Sequence, residues 1–231
     1  MKCEDIKRFE YKYHISQADY LVLRERLSKA MKVDRYSFLG DRYKIRSLYF
    51  DNTKNDSYHD KMDGVRFRKK LRLRMYNNDP DVIKLEIKKK IDDVVKKTSV
   101  YIDKETAEKI VADSSSISSL SATHKLPDDF AYFVGSNYYK PVVIVEYERE
   151  AYCLDFNRIR ITFDIGVRKQ ENNFDFFNKS LEFYPVSEIP CIVLEVKFDN
   201  FLPGFIKNLL TFESSQRLAI SKYCFSRDLV Y

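Results

Sequence analysis

Tryptophan is absent from this 231-residue chain, and histidine (3), cysteine (4), glycine (5) and proline (6) are scarce. His14, His59 and His124 have no zinc-ligand spacing, and Cys3, Cys153, Cys191 and Cys224 lie far apart with no C-x-x-C pair; both patterns argue against a structural zinc and a disulfide framework. No apolar run approaches the roughly 20 residues that span a bilayer, and the opening Met1-Lys2-Cys3-Glu4-Asp5 leads into no apolar signal core. The chain therefore reads as soluble, reduced and cytoplasmic. A G-x-x-x-x-G-K-[ST] loop is also missing, as is any grouping of nucleophile with base, so neither P-loop chemistry nor a covalent enzyme intermediate is expected.

What the chain does have is 44% hydrophobic and 33% charged residues, enough to build a core and too apolar for disorder. Lysine and arginine number 41 against 35 acidic residues, a net charge of +6 that names no partner by itself. Alternation of Val, Ile, Tyr and Phe with polar residues marks strands at 8–15, 45–50, 64–76, 82–90, 96–102, 142–152, 159–164 and 192–198. Helical spacing occurs at 16–31, where Ser16 and Asp19 suit a capping box, after Asp103, at 127–134 before Gly135, and at 203–210. Residues 114–121 read as a loop or frayed helix end. With neither repeat nor linker, one α+β domain over 1–231 is expected: mainly antiparallel β, its eight strands closed into a barrel with the helices outside.

Successive strand side chains point to opposite faces, so numbering parity separates the faces. Arg8, Glu10, Lys12 and His14 share one face of the first strand, and Arg66, Arg68, Lys70, Arg72 and Arg74 share one face of the third, opposite Phe67, Leu71, Leu73 and Met75. The same rule sets Lys84, Glu86, Lys88 and Lys90 against Leu85 and Ile87, and Arg158, Arg160, Thr162 and Asp164 against Ile159, Ile161 and Phe163. Glu195 and Lys197 likewise oppose Leu194 and Val196. Such rows are ordinarily solvent faces. Five basic residues in one row repel, however, unless an anion lies against them. With the apolar faces turned out toward the helices, the charged rows would line a wet tunnel for a polyanion, because an unpaired buried charge costs several kcal/mol or more. Glu10, Glu86 and Glu195 among the cations would either pair with them or hold a divalent metal, and arginine and lysine suit phosphate oxygens. Triphosphate chemistry follows from that combination.

Eight blocks carry a resemblance. They are Phe9-Glu10-Tyr11-Lys12-Tyr13, Ser47-Leu48-Tyr49-Phe50-Asp51, Leu71-Arg72-Leu73-Arg74-Met75-Tyr76, Leu85-Glu86-Ile87-Lys88-Lys89-Lys90, Tyr147-Glu148-Arg149-Glu150-Ala151-Tyr152, Arg158-Ile159-Arg160-Ile161-Thr162-Phe163-Asp164, Leu194-Glu195-Val196-Lys197 and Ser221-Lys222-Tyr223. In that order, over nearly the whole length, the chain resembles the VTC domain of polyphosphate polymerases, within the CYTH-like triphosphate tunnel metalloenzyme superfamily. The resemblance implies a tunnel barrel that transfers the terminal phosphate of ATP to a growing polyphosphate chain, with Mn2+ favoured, or Mg2+. By position it implies phosphate binding by Lys12, Lys61, Arg72, Arg74, Lys88, Lys97, Arg149 and Arg160, with Lys222 close to the reacting phosphate, Lys222, Arg72 and Arg74 forming the catalytic set, and a metal ligand at Glu195; Glu86 and Glu10 join Glu195 from the parity reading. Lys61, Lys97, Arg149 and Lys222 rest on the resemblance alone.

ATP and polyphosphate are the expected partners, with a separate membrane partner if synthesis is coupled to export. Nucleic acid is not expected, since Glu86, Asp92 and Asp93 interrupt the basic run Lys88-Lys89-Lys90 to Lys96-Lys97. The alternatives are a tripolyphosphatase or nucleoside triphosphatase using the same cations, and a module that only binds polyphosphate or inositol phosphates. His14 reads as a surface residue, Glu146, Glu148 and Glu150 either as metal ligands or as partners for the basic rows beside them, and residues 225–231 as a packed terminus.

Overall fold

A computed structural model of the chain describes residues 8–34, 42–91, 94–117, 130, 138–187, 192–212 and 217–227. Cys3, Cys191, His124, Asp92, Asp93, residues 118–121, 228–231 and nearly all of the helix expected at 127–134 lie outside the described residues. Among those described, the strands are β1 (Arg8–Ile15), β2 (Lys32–Val33), β3 (Tyr43–Asp51), β4 (Phe67–Tyr76), β5 (Ile83–Ile91), β6 (Val94–Ile102), β7 (Lys140–Leu154), β8 (Ile159–Gln170), β9 (Tyr184–Pro185) and β10 (Ile192–Asp199). The helices are α1 (Gln17–Ala30), α2 (Asp56–Met62), α3 (Lys104–Ala112), α4 (Gly204–Leu209) and α5 (Lys222–Phe225). All eight expected strands are present and the architecture is mainly antiparallel β, as the alternation indicated. The third starts at Phe67, so Arg66 lies in the approach to it rather than in its charged row.

The chain divides into two compact units, one of Met1–Tyr43, Tyr147–Val167 and Ser187–Ser221, the other of Lys44–Glu146, Arg168–Val186 and Lys222–Tyr231. Each draws on three stretches, so no single cut separates them. In the first unit the strand order is β1-β10-β8-β7, with β2 on β7. Ile161, Phe163, Leu194 and Val196, on the face opposite the charged rows, form its core with Tyr20, Leu23 and Leu27 of α1. That helix starts as expected: the Ser16 hydroxyl accepts from the Asp19 amide at 3.0 Å and the Asp19 carboxylate accepts from Ser16 N at 3.4 Å.

In the second unit the order is β7-β3-β4-β5-β6, with β9 on the end of β8. Leu48, Phe50, Leu71, Leu73, Met75, Leu85 and Ile87 share one buried cluster with Ala107 and Ile110 of α3. Asp103 caps α3 through the Thr106 amide at 2.7 Å. The short α2, without apolar periodicity, follows Asn55 in the left-handed region (φ 55). Asn77, Asn78, Asn157 and Asn200 also have positive φ. Each unit's path ends at an outer strand, β1 in one and β6 in the other, so neither unit is by itself a closed barrel among the described residues.

Candidate functional site

The second unit carries a basic face opposite its core. The register sets Tyr49, Arg72, Glu86 and Ser99 side by side across β3, β4, β5 and β6. One step along the strands lies the row Lys70, Lys88 and Lys97, and on the other side the row Ser47, Arg74, Lys84 and Tyr101. Arg72, Arg74, Lys88, Lys97 and Glu86, each singled out in the sequence, are thus brought together on one face.

Glu86, only 1% exposed, is the counter-ion of this face. It accepts from Arg72 Nε at 2.8 Å and Nη2 at 2.7 Å, from Lys97 Nζ at 3.1 Å and from Ser99 Oγ at 3.2 Å, with Arg74 Nε at 3.9 Å. Burial alone would raise its pKa, but Arg72, Arg74 and Lys97 outweigh that and hold the carboxyl far below the usual range. Arg72 also reaches the Tyr49 hydroxyl at 3.2 Å and Arg74 the Ser47 hydroxyl at 3.1 Å. Although burial pushes the Tyr49 phenol up, the same arginines bring it below its ordinary value.

Lys61 stands on α2 and Lys222 opens α5. Both helices are fixed by Asp51, which is fully buried. Its carboxylate accepts from the Ser57 amide at 3.0 Å and the Tyr58 amide at 3.2 Å, at the start of α2, and from the Tyr223 hydroxyl of α5. The Tyr223 ring lies 5.2 Å from that of Tyr49, and Lys70 Nζ sits 5.1 Å from its centroid.

In the first unit, β1, β10, β8 and β7 gather Lys12, Arg149, Arg160 and Glu195 with Lys197 and Asp164. Lys12 pairs in register with Glu195, which pairs with Thr162, and Lys197 with both Glu10 and Arg160. Lys12 Nζ is 2.9 Å from Glu10 Oε1 and 3.9 Å from Glu195 Oε1, and it donates to the Ile220 carbonyl at 3.1 Å. Lys197 reaches the same Glu195 oxygen at 3.0 Å, while Arg149 Nη2 is 3.7 Å from Oε2. Arg149 makes a two-point pair with Asp164, at 2.5 and 2.8 Å. Arg160 contacts Asp34 at 3.2 Å and Tyr43 OH at 3.0 Å. Burial lowers both lysines, but Glu195 and Glu10 outweigh it at Lys12, whose pKa is raised, whereas Lys197, beside Arg149, ends below its ordinary value. Amid these charges the Thr162 hydroxyl and Arg160 Nε are buried without a hydrogen-bond partner among the described residues.

A family model for the VTC domain matches residues 7–231. The chain belongs to the VTC domain family. Among solved structures, this VTC domain shares its fold with a putative adenylyl cyclase from Hippeastrum, described as having a dominant triphosphatase activity, at 15% identity over 95% of this chain and 94% of that one, with a TM-score of 0.57. A putative adenylate cyclase from Bacillus halodurans is 11% identical over 83% and 81% of the two chains at a TM-score of 0.46, too distant to bear on this domain. No curated protein matches this chain by sequence.

Of the three carboxylates expected as metal ligands, Glu10 and Glu195 lie in the first unit and Glu86 in the second. Among the described residues no three His, Cys, Asp or Glu side chains are placed to hold a metal ion. Glu86 is taken up by Arg72, Lys97 and Ser99, while Glu10 and Glu195 converge on the Lys12 ammonium. Lys197 and Asp164 were visible as members of charged rows, yet nothing in the sequence separated them from solvent-facing neighbours. Asp51 and Tyr223 lay within quoted blocks, and their pairing across 172 residues has no local signal.

Proposed function

We propose that this VTC domain is a metal-dependent phosphotransferase that moves the γ-phosphoryl group of ATP onto a polyphosphate chain. The observation that carries the proposal is the register of β4, β5 and β6: Lys70, Lys88 and Lys97 stand side by side next to Arg72 and Arg74, an alignment of like charges that an oligophosphate stabilises. The Thr162 hydroxyl and Arg160 Nε, without a hydrogen-bond partner among the described residues, are the kind of buried groups that a phosphate or a hydrated ion satisfies.

Glu195, in register with Thr162, and Glu10, which shares the Lys12 ammonium with it, are the carboxylates that would hold a hard divalent ion such as Mn2+ or Mg2+, which takes one or two carboxylates and completes its shell with water and substrate phosphate. A metal held there would supply charge neutralisation to the transferring phosphoryl group. The protein's own work is position and charge. Arg72, Arg74, Lys88, Lys97, Lys12, Arg149, Arg160 and Lys61 bind phosphates, and Lys222 serves the reacting one. The acceptor phosphate is already anionic and needs no base. A cytoplasmic location, and a separate membrane partner for any export, belong to the same reading; among the described residues no helix is long and apolar enough to cross a membrane.

Hydrolysis is the second reading, favoured by the triphosphatase activity named for the structurally similar Hippeastrum protein. Incubation of the purified chain with ATP and Mn2+, with and without a short polyphosphate primer, and separation of phosphate chains on a gel decides between them. Lengthening chains with ADP, lost in Glu195→Ala, are the expected result. Free phosphate without chains makes it a triphosphatase, and tight polyphosphate binding without turnover makes it a binding module.

A further inference from the structure

Beyond Arg74 the basic face of the second unit changes character. Arg74 of β4, Lys84 of β5 and Tyr101 of β6 are in register, and Tyr76 follows two residues along β4 on the same face. The Lys84 ammonium lies 5.1 Å from the Tyr76 ring centroid and 4.9 Å from that of Tyr101, so two aromatic rings flank one cation. Tyr101 is 63% exposed, a large ring presented to solvent on the outermost strand of the basic face. A surface tyrosine beside a lysine is ordinary in a sheet. What distinguishes this pair is its place, directly continuing the row of arginines that suits phosphates.

We propose that Tyr101, with Tyr76 and Lys84, forms a stacking platform for the base of a purine nucleoside triphosphate, whose phosphates then run along the strands past Arg74 and Arg72 toward Lys70, Lys88 and Lys97. It rests on the reading that the basic face binds triphosphate. Successive same-face residues are about 6.8 Å apart along a strand, so base and phosphates occupy adjacent rows. The exposed tyrosine face accepts a base by stacking, which tolerates either purine. Lys84 donates to ring nitrogens or to the ribose and α-phosphate beside it. The platform gives the domain a reason to prefer a nucleotide over inorganic tripolyphosphate, a preference that cations alone do not provide.

The test is calorimetric titration in EDTA, which prevents turnover, of ATP, GTP and inorganic tripolyphosphate into wild type, Tyr101→Ala and Tyr101→Phe. Loss of one stacked base corresponds to about ten-fold or more in affinity. Tyr101→Ala is expected to weaken ATP and GTP by about that factor and to leave tripolyphosphate within about two-fold, with Tyr101→Phe close to wild type. Equal weakening of all three ligands, no change in any, or no ATP binding by wild type overturns the platform. If ATP binds through Tyr101 but no polyphosphate forms in the gel assay, the polymerase reading falls and the platform stands. If tripolyphosphate binds and ATP shows no dependence on Tyr101, the platform falls and the phosphate-binding reading stands.

Discussion

The Tyr223 hydroxyl donates to the Asp51 carboxylate, and the same carboxylate receives the Ser57 and Tyr58 amides in the first turn of α2. One buried acid therefore holds the helix of Lys61 and the helix of Lys222 in the same unit. Burial and this hydrogen bond both push the Tyr223 phenol up, which keeps it a donor at all working pH values. Tyr223→Phe is expected to lose about 1–2 kcal/mol in urea denaturation, and Asp51→Ala, which also orphans the α2 amides, roughly 2–4 kcal/mol. An Asp51→Ala variant as stable as wild type would remove this anchor from the account.

Acid stability should track Glu86. A carboxyl whose folded pKa is depressed adds stability that is fully present above the unfolded value near 4.3 and is lost as pH falls toward the folded value. Between the two values the unfolded chain binds more protons, so stability rises with pH there. The protein is expected to weaken below about pH 4–5, and Glu86→Gln to be less stable at neutral pH by roughly 2–4 kcal/mol with a flatter acid limb. Thermal melts of both proteins from pH 3 to pH 7 measure the difference.

The two-point pair between Arg149 and Asp164 depends on the planar fork of guanidinium. Arg149→Lys keeps the charge but loses one of the two bonds and leaves the fully buried Asp164 under-satisfied. A loss of about 1–3 kcal/mol in denaturation, together with weaker tripolyphosphate binding, is the expected outcome. Retention of both would mean that charge alone suffices at this position.

Lys222→Ala is expected to lower kcat of ATP turnover by about 100-fold or more, as loss of a charge at the reacting phosphate does, with a smaller change in KM. Steady-state kinetics on wild type and variant separate the two parameters. A pure KM effect would move Lys222 from the reacting phosphate to general binding.

The strands and their faces were legible because period-two alternation is a local signal: Leu71, Leu73 and Met75 are buried together, and Arg72 and Arg74 stand opposite, as parity requires. The start of α1 was legible for the same reason, since Ser16 and Asp19 are three residues apart. By contrast α2 has no apolar stripe, and it depends on Asn55 turning the chain and on Asp51 capping from outside the helix. Which acid lies beneath the arginines was equally hidden. Parity put Glu86, Glu10 and Glu195 on charged faces, but only the register shows Glu86 surrounded by Arg72, Arg74 and Lys97. Of the two readings of the glutamates of β7, the ion pairs are what the structure has: Glu146 with Arg46 and Arg168, Glu148 with Arg42, and Glu150 with Arg24.

Asn55, Asn77, Asn78, Asn157 and Asn200 take the left-handed positions that glycine would fill in a less glycine-poor chain. Their consequence lies in the denatured ensemble. A residue with a side chain has fewer backbone states to lose than glycine, by about 0.4–1 kcal/mol per position, which offsets part of the strain it bears when folded. Turns built this way restrict the disordered chain before any contact forms, so the strain of each left-handed asparagine is met in part by the state the chain leaves on folding.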